Sequence, residues 1–291
     1  MQKTGYIFFR ITVFLFSLVP FWLLYFYSDI LCLLFFYVFG YRKKVVFTNL
    51  KNSFPEKSEE EILEIAKGFY KNLSDITLES IKGLSMSKKS LRKRYPVVNI
   101  DILDEYYERG QSIIGLAAHY TNWEWGVISF GFQFKHKSIG LYKPLSNKYI
   151  DNYVKKARAA WGMNLVSIKE TRNIFEKEHD NPTVFFMISD QSPSNIKRAK
   201  RIKFLNQDTA CLHGAELYAK KYNIPLIFGD VKRKKRGFYE VELSIFEDKP
   251  RETKDGEITE RYMKKVEEII KAKPENWLWS HKRWKHKKQY K

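Results

Sequence analysis

The chain has 291 residues, 44% of them hydrophobic and 16% aromatic, enough apolar mass for one sizeable α/β domain or two small ones and too much for global disorder. Lys and Arg number 52 against 33 Asp and Glu, a net charge of +19, so the expected partner is polyanionic: nucleic acid, an anionic membrane surface or an acidic carrier protein. The two cysteines, Cys32 in an apolar run and Cys211 deep in the chain, speak against a disulfide framework and fit a reducing compartment.

The N-terminal residues choose between those partners. An uncharged run over 11–27, extended back to residue 7, predicts a helix about 30 Å long, close to a hydrocarbon core, with Arg10 snorkelling to the interface. A second apolar run over 30–39 is too short to span and predicts an interfacial helix. No small-residue cleavage site follows, which disfavours a signal peptide; a buried helix of a soluble protein is the remaining alternative. Arg42, Lys43 and Lys44 come next, against Lys3 and Arg10 before, so the positive-inside rule places the rest of the chain on the cytoplasmic side. The division expected is an anchor over 1–44 and a single α/β domain over 45–291.

Ser58 and Glu61 form a capping box, and Ile62, Ile65, Phe69, Leu73 and Ile76 then recur at helical spacing. Lys88, Lys89 and Arg92 to Arg94 make a basic patch, solvated or facing lipid. Beyond Tyr95 the pattern alternates. Strands are predicted over 112–118, 138–142, 165–168, 184–188, 226–228 and 239–245, and helices over 123–132, 148–161, 172–177, 210–222 and 258–272. Such alternation predicts an α/β fold with a largely parallel sheet flanked by helices, and antiparallel strands near its C-terminal end.

The first predicted strand delivers His119 to its carboxyl end, where ligands bind in open α/β sheets, and a helix begins shortly after. Glu124 lies within reach across this strand–turn–helix junction. Its carboxylate on one ring nitrogen would fix the tautomer and leave the other nitrogen as a base for an incoming hydroxyl attacking a thioester. No Ser or Cys occupies a nucleophile-elbow setting, so direct transfer is the simpler chemistry. Thr121-x-x-Glu124 is equally a capping box, in which Glu124 would only close a helical turn. No second His or Cys stands nearby at ligand spacing, and no metal or cofactor is expected.

His119-Tyr-Thr-Asn-Trp-Glu124 resembles the His-x-Gly-Asn-Trp-Glu motif of the lipid A late (secondary) acyltransferases, with Thr121 in place of the Gly. Further matches follow in order: Asn49-Leu50 before Ser53-Phe54-Pro55; Tyr142-Lys143-Pro144 with Asn147-Lys148 and Asp151; Asp190-Gln191; Asp208-Thr209-Ala210; Pro225; and Pro274-Glu275 with Trp279-x-His281-Lys282-Arg283. The resemblance runs from about residue 7 to 285. It implies a glycerolipid-acyltransferase-like α/β fold behind a membrane helix, and acyl transfer from an acyl carrier protein thioester, or acyl-CoA, to a hydroxyl of a lipid A precursor. His119 and Glu124 would be catalytic, as base and orienting partner. Asn122, Lys143, Arg172, Asp190 and Gln191 are the candidate substrate-binding residues, Lys143 standing where the family carries Arg and lacking its bidentate fork. An aminolipid or other glycolipid acceptor, or a basic binding protein without catalysis, are the alternatives. The implied location is the cytoplasmic face of a bacterial inner membrane.

The basic runs 197–203, 232–236 and the tail from His281 are expected either as solvated loops or as docking surfaces for anionic headgroups, phosphorylated acceptor and carrier protein. Trp277, Trp279 and Trp284, interleaved with cations, raise nucleic acid as a rival, against which the N-terminal anchor argues. No nucleic-acid partner is expected.

Overall fold

The structure, a computed structural model, describes residues 2–286. Helix α1 (Gln2–Leu18) and helix α2 (Phe21–Leu33), which continues as a π turn (Leu34–Val38), precede α3 (Lys43–Ser53) and the long α4 (Glu59–Gly83). The single helix expected over 7–27 is therefore two. Pro20 has no amide hydrogen to donate and its ring collides with a preceding turn, so α1 ends at Leu18 and α2 starts anew behind the proline. Among the described residues, the segment long and apolar enough to cross a membrane is Phe21–Val38, which takes in most of the run read as interfacial. The Ser58–Glu61 capping box forms as expected and opens α4.

Helices α5 (Lys88–Arg94) and α6 (Asp104–Glu108) lead into the α/β alternation: β1 (Ile113–Ala117), α7 (Trp123–Gln133), β2 (Lys137–Tyr142), α8 (Lys148–Ala159), β3 (Met163–Ser167), α9 (Thr171–Glu176) and β4 (Thr183–Ile188). A hairpin of β5 (Lys200–Phe204) and β6 (Gln207–Cys211) follows, then α10 (Gly214–Tyr222), β7 (Leu226–Lys235), β8 (Phe238–Glu247) and α11 (Glu257–Ala272). The main sheet has the order β3-β2-β4-β1-β7-β8, parallel through β7 and antiparallel at β8. Successive residues of β1 enter different cores: Ile114 and Leu116 pack with α4, α10 and α11, whereas Ile113 packs with Trp125 and Ile128 of α7. Both faces are thus covered, the condition under which parallel strands read as continuous apolar runs.

Three readings of the chain change here. The hairpin β5–β6 replaces a loop and the start of a helix expected at 210; Arg201 and Lys203 face outward, and their charge hides the alternation with Ile202 and Phe204. The run 232–236 is divided: Lys232, Lys234 and Lys235 stay exposed, whereas Arg233 and Arg236 are drawn into ion pairs and are not free to dock. Lys232 pairs with Glu242, Arg233 with the fully buried Asp75, and Arg236 with Asp75 and Asp29 at 2.6 Å each. Within the basic tail Arg283 is buried, donating to the Ala210 carbonyl (2.7 Å) and to Cys211 Sγ (3.3 Å); residues 287–291 lie outside the described part.

The N-terminal helices lie on this body along their length. Leu24, Ser28 and Phe36 of the α2 segment are buried, Ser28 Oγ donates to Asp75 at 2.6 Å, and Phe36 joins the same core as Val46 and Tyr70. Tyr6 and Phe9 of α1 pack, tilted or edge-on, against Tyr149 and Tyr153 of α8. The opposite faces stay apolar and uncovered, with Phe8, Leu18, Trp22 and Tyr37 each about two-thirds exposed or more.

Candidate active site

The carboxyl ends of the parallel strands gather the chemistry. Strands β1 and β4 are neighbours with Ala117 opposite Ile188; two residues further along each, His119 meets Asp190. Asp190 is fully buried and accepts three hydrogen bonds: from His119 Nδ1 (2.7 Å), from the His119 backbone N–H (3.0 Å) and from the Trp277 indole (2.8 Å). Burial pushes its carboxyl up, but the adjacent His119 and the three donors outweigh burial and hold its pKa below the ordinary value. A carboxylate on Nδ1 assigns the proton to that nitrogen and leaves Nε2 as the acceptor. The ring is partly accessible and edge-on to Trp123, 5.4 Å between centroids.

The carboxylate on the imidazole is therefore that of Asp190, and the bond expected from Glu124 is not made. Asn122, not Thr121, caps α7, its side-chain oxygen accepting from Trp125 N at 2.9 Å, so the Thr121–Glu124 capping box does not form either. Glu124, in the first turn, turns to the cation opposite on α8 and pairs with Arg158. Sequence reasoning missed Arg158, for nothing local marks it.

Thr121 occupies the position where the motif it resembles carries Gly. Its φ is +50°, a left-handed value that a β-branched residue adopts only when its surroundings impose it, and its hydroxyl is buried without a partner. The imposing element is the C-terminal segment: Thr121 N–H donates to the Asn276 carbonyl (2.9 Å), Leu278 N–H to the His119 carbonyl (3.2 Å), and Tyr120 bridges Trp277. Asn49, near the other end of the chain, holds that segment through the Trp279 and His281 carbonyls at 2.9 and 3.0 Å. Trp277 and Trp279 are buried by this arrangement and offer no face to a nucleobase.

The other candidates are dispersed along the same edge. Gln191 follows Asp190, half-buried. Lys143 is exposed just past β2, two strands from β1, about 10 Å at ordinary strand spacing. Tyr142 and Asp151 of its motif are structural: Asp151 accepts from the Tyr142 hydroxyl (2.9 Å) and Leu145 N (2.8 Å). Arg172 follows β3, a strand further out, and pairs with Glu176 at 2.9 Å on the surface; it does not join the His119 group. His281, quoted in the sequence only as part of a motif, belongs here. Its Nε2 accepts from Ser192 N–H (3.1 Å), and burial pushes its pKa down to about 4, so it is neutral at physiological pH.

Among the described residues, His213, Glu216 and Asp255 bring ligating atoms within 4.8 Å of one another. Those atoms are committed: Glu216 accepts from Gly256 N, Thr259 N and Thr259 Oγ1 at the start of α11, and Asp255 pairs with Lys200. The cluster works as a helix cap.

A buried carboxylate thus orients an imidazole at the carboxyl edge of the parallel sheet, and a second carboxylate pairs with a cation on the helices that follow. The sequence profile of the bacterial lipid A biosynthesis acyltransferases matches residues 1–286. The chain belongs to that family and is an acyltransferase. It is also similar to the lipid A biosynthesis lauroyltransferase of Escherichia coli (strain K12), 23% identical over 247 residues, which is 84% of this chain and 79% of that protein.

Proposed function

We propose that this acyltransferase moves a fatty acyl chain from an acyl carrier protein thioester to a hydroxyl of a lipid A precursor, with His119 as general base. The observation that carries the reading is the Nδ1 bond to Asp190, which leaves Nε2 unprotonated at the open edge of the sheet. Nε2 takes the proton of the acceptor hydroxyl as its oxygen attacks the thioester carbonyl. The C–O bond forms, the C–S bond breaks, and the imidazolium returns the proton to the departing thiolate. Asp190 stabilises the imidazolium, and no acyl-enzyme is required. Glu124 holds Arg158 in place, and that cation, with Lys143, faces the thioester oxyanion or an acceptor phosphate.

The acyl carrier protein is favoured as donor by the +19 charge, and a membrane site by the uncovered apolar faces of α1 and α2. The catalytic domain sits on the cytoplasmic face of the inner membrane. Purified protein is to be mixed with acyl carrier protein thioesters and lipid A precursor, and the product identified by mass spectrometry. His119→Ala should lower turnover about 10²- to 10⁴-fold while the protein stays folded. A folded variant that keeps more than roughly a tenth of the rate removes His119 from this role.

A further inference from the structure

Outside the His119 group, one buried carboxylate is bound with equal care. Glu79, one turn from the C-terminal end of α4 and fully buried, accepts from the Tyr25 hydroxyl at Oε1 (2.7 Å) and from Asn122 Nδ2 (2.6 Å) and the Tyr239 hydroxyl (2.7 Å) at Oε2. Its backbone carbonyl accepts from the Trp125 indole at 2.7 Å. Asn122 and Trp125 flank Glu124, and Asn122 is three residues from His119. Tyr25 stands on α2, whose outward side chains Trp22 and Phe26 are 72% and 57% exposed. One carboxylate thus joins the apolar N-terminal helix, strand β8 and the turn between His119 and Glu124.

That turn needs holding. Thr121 sits at a backbone angle it would leave if released, and such a conformation persists only when its neighbours over-determine it. The C-terminal segment secures it on one side, through Asn276. Asn122 secures it on the other. Its oxygen is committed to Trp125 N–H, so its amide nitrogen must find an acceptor, and a rotated amide would set nitrogen against that N–H. The acceptor present is Glu79. There is no slack in the packing either: a Cβ at Gly83, one turn along α4, would lie 2.9 Å from the Trp125 indole nitrogen.

We propose that Glu79 is a positioning residue for acyl transfer: through Asn122 it sets the turn that carries His119 and Glu124, and through Tyr25 it makes that setting depend on helix α2. The inference rests on the acyl-transfer reading above. Glu79 touches no reacting atom, so its loss acts on turnover by displacing the pair, and a displacement of about 1 Å is enough to cost roughly 100-fold.

The test uses the full-length protein in detergent micelles, after transfer by the wild type and its loss in His119→Ala have been established. Glu79→Leu fills the volume but accepts nothing; kcat should fall roughly 100-fold with KM within about twofold of wild type. Glu79→Gln should restore most of that turnover. Its oxygen can accept from Asn122 and Tyr239 while its amide donates to the Tyr25 hydroxyl. A residue that served folding alone would show no such split between Leu and Gln in kcat. A folded Leu variant with wild-type kcat overturns the inference, and so does a Gln variant no faster than Leu. If Leu does not fold, Tyr25→Phe decides: it deletes one donor and keeps the ring, and kcat should drop about three- to tenfold in a protein that remains folded at the assay temperature. An unchanged kcat there overturns the inference. Absence of transfer by the wild type would remove the acyl-transfer reading itself, a separate result.

Discussion

Asp190 and Glu79 are both fully buried and each collects three side-chain or backbone donors, yet their acidities move in opposite directions. Burial disfavours the charge of both. At Asp190 it is overcome by an imidazole able to become cationic and by two N–H donors. At Glu79 the donors are two phenols and an amide, none of which can take a charge near neutrality, and the Asp75 carboxylate lies close by; burial prevails, and its pKa rises to about 7. The same count of hydrogen bonds therefore builds two different devices. Asp190 keeps its charge, which in the proposed mechanism stabilises a proton on His119, whereas Glu79 is proposed as a holder whose charge is incidental.

Asparagine at the first and glutamine at the second should separate them. Asp190→Asn opposes an amide nitrogen to two donors or, if rotated, to Nδ1, and it removes the charge that the imidazolium needs. Turnover should fall about 10²- to 10⁴-fold in the acyl-transfer assay, and a residual rate above roughly a tenth would break the distinction. Glu124→Gln tests the neighbouring carboxylate, which holds Arg158 and not the imidazole. Its loss of charge should cost about tenfold in kcat/KM, with the melting temperature unchanged because Asn122 caps α7. A loss as large as that of Asp190→Asn would put Glu124 back on the proton path.

A further effect concerns stability. Glu79 is raised from 4.5 in the unfolded chain to about 7 in the fold, so the folded state favours its protonated form. The stability it contributes is full below pH 4.5 and is lost as pH rises through 7. Glu79→Gln carries no such proton. In chemical denaturation followed against pH, the variant should gain on the wild type between pH 4.5 and 7, by about 3 kcal/mol at most, and stay level above. A difference that does not change with pH would mean that the donors hold Glu79 ionised, as they hold Asp190.

Local pattern was enough for most of the scaffold. Six short apolar runs became the six strands of the main sheet, Ser58 and Glu61 became the capping box, and His119 stood at a strand end in the sequence as it does in the fold. Where local pattern misled, a stronger nearby signal was in the way: the charges on β5 hid its alternation, and the length of the apolar run hid the break that Pro20 makes in it.

The amino-acid sequence by itself determined where strands and helices form and which imidazole stands at the carboxyl edge, because these follow from side-chain periodicity and backbone preference within a few residues. Only the tertiary structure decided which carboxylate that imidazole meets. Glu124 was nearest along the chain, but β4 lies beside β1 and brings Asp190 across 71 positions. It likewise decided that Arg233 and Arg236 answer Asp75, and that Asn122 answers a glutamate in α4. A buried charge or amide must find its partner in space, and the sheet order that supplies those partners is not written in the spacing of neighbouring residues.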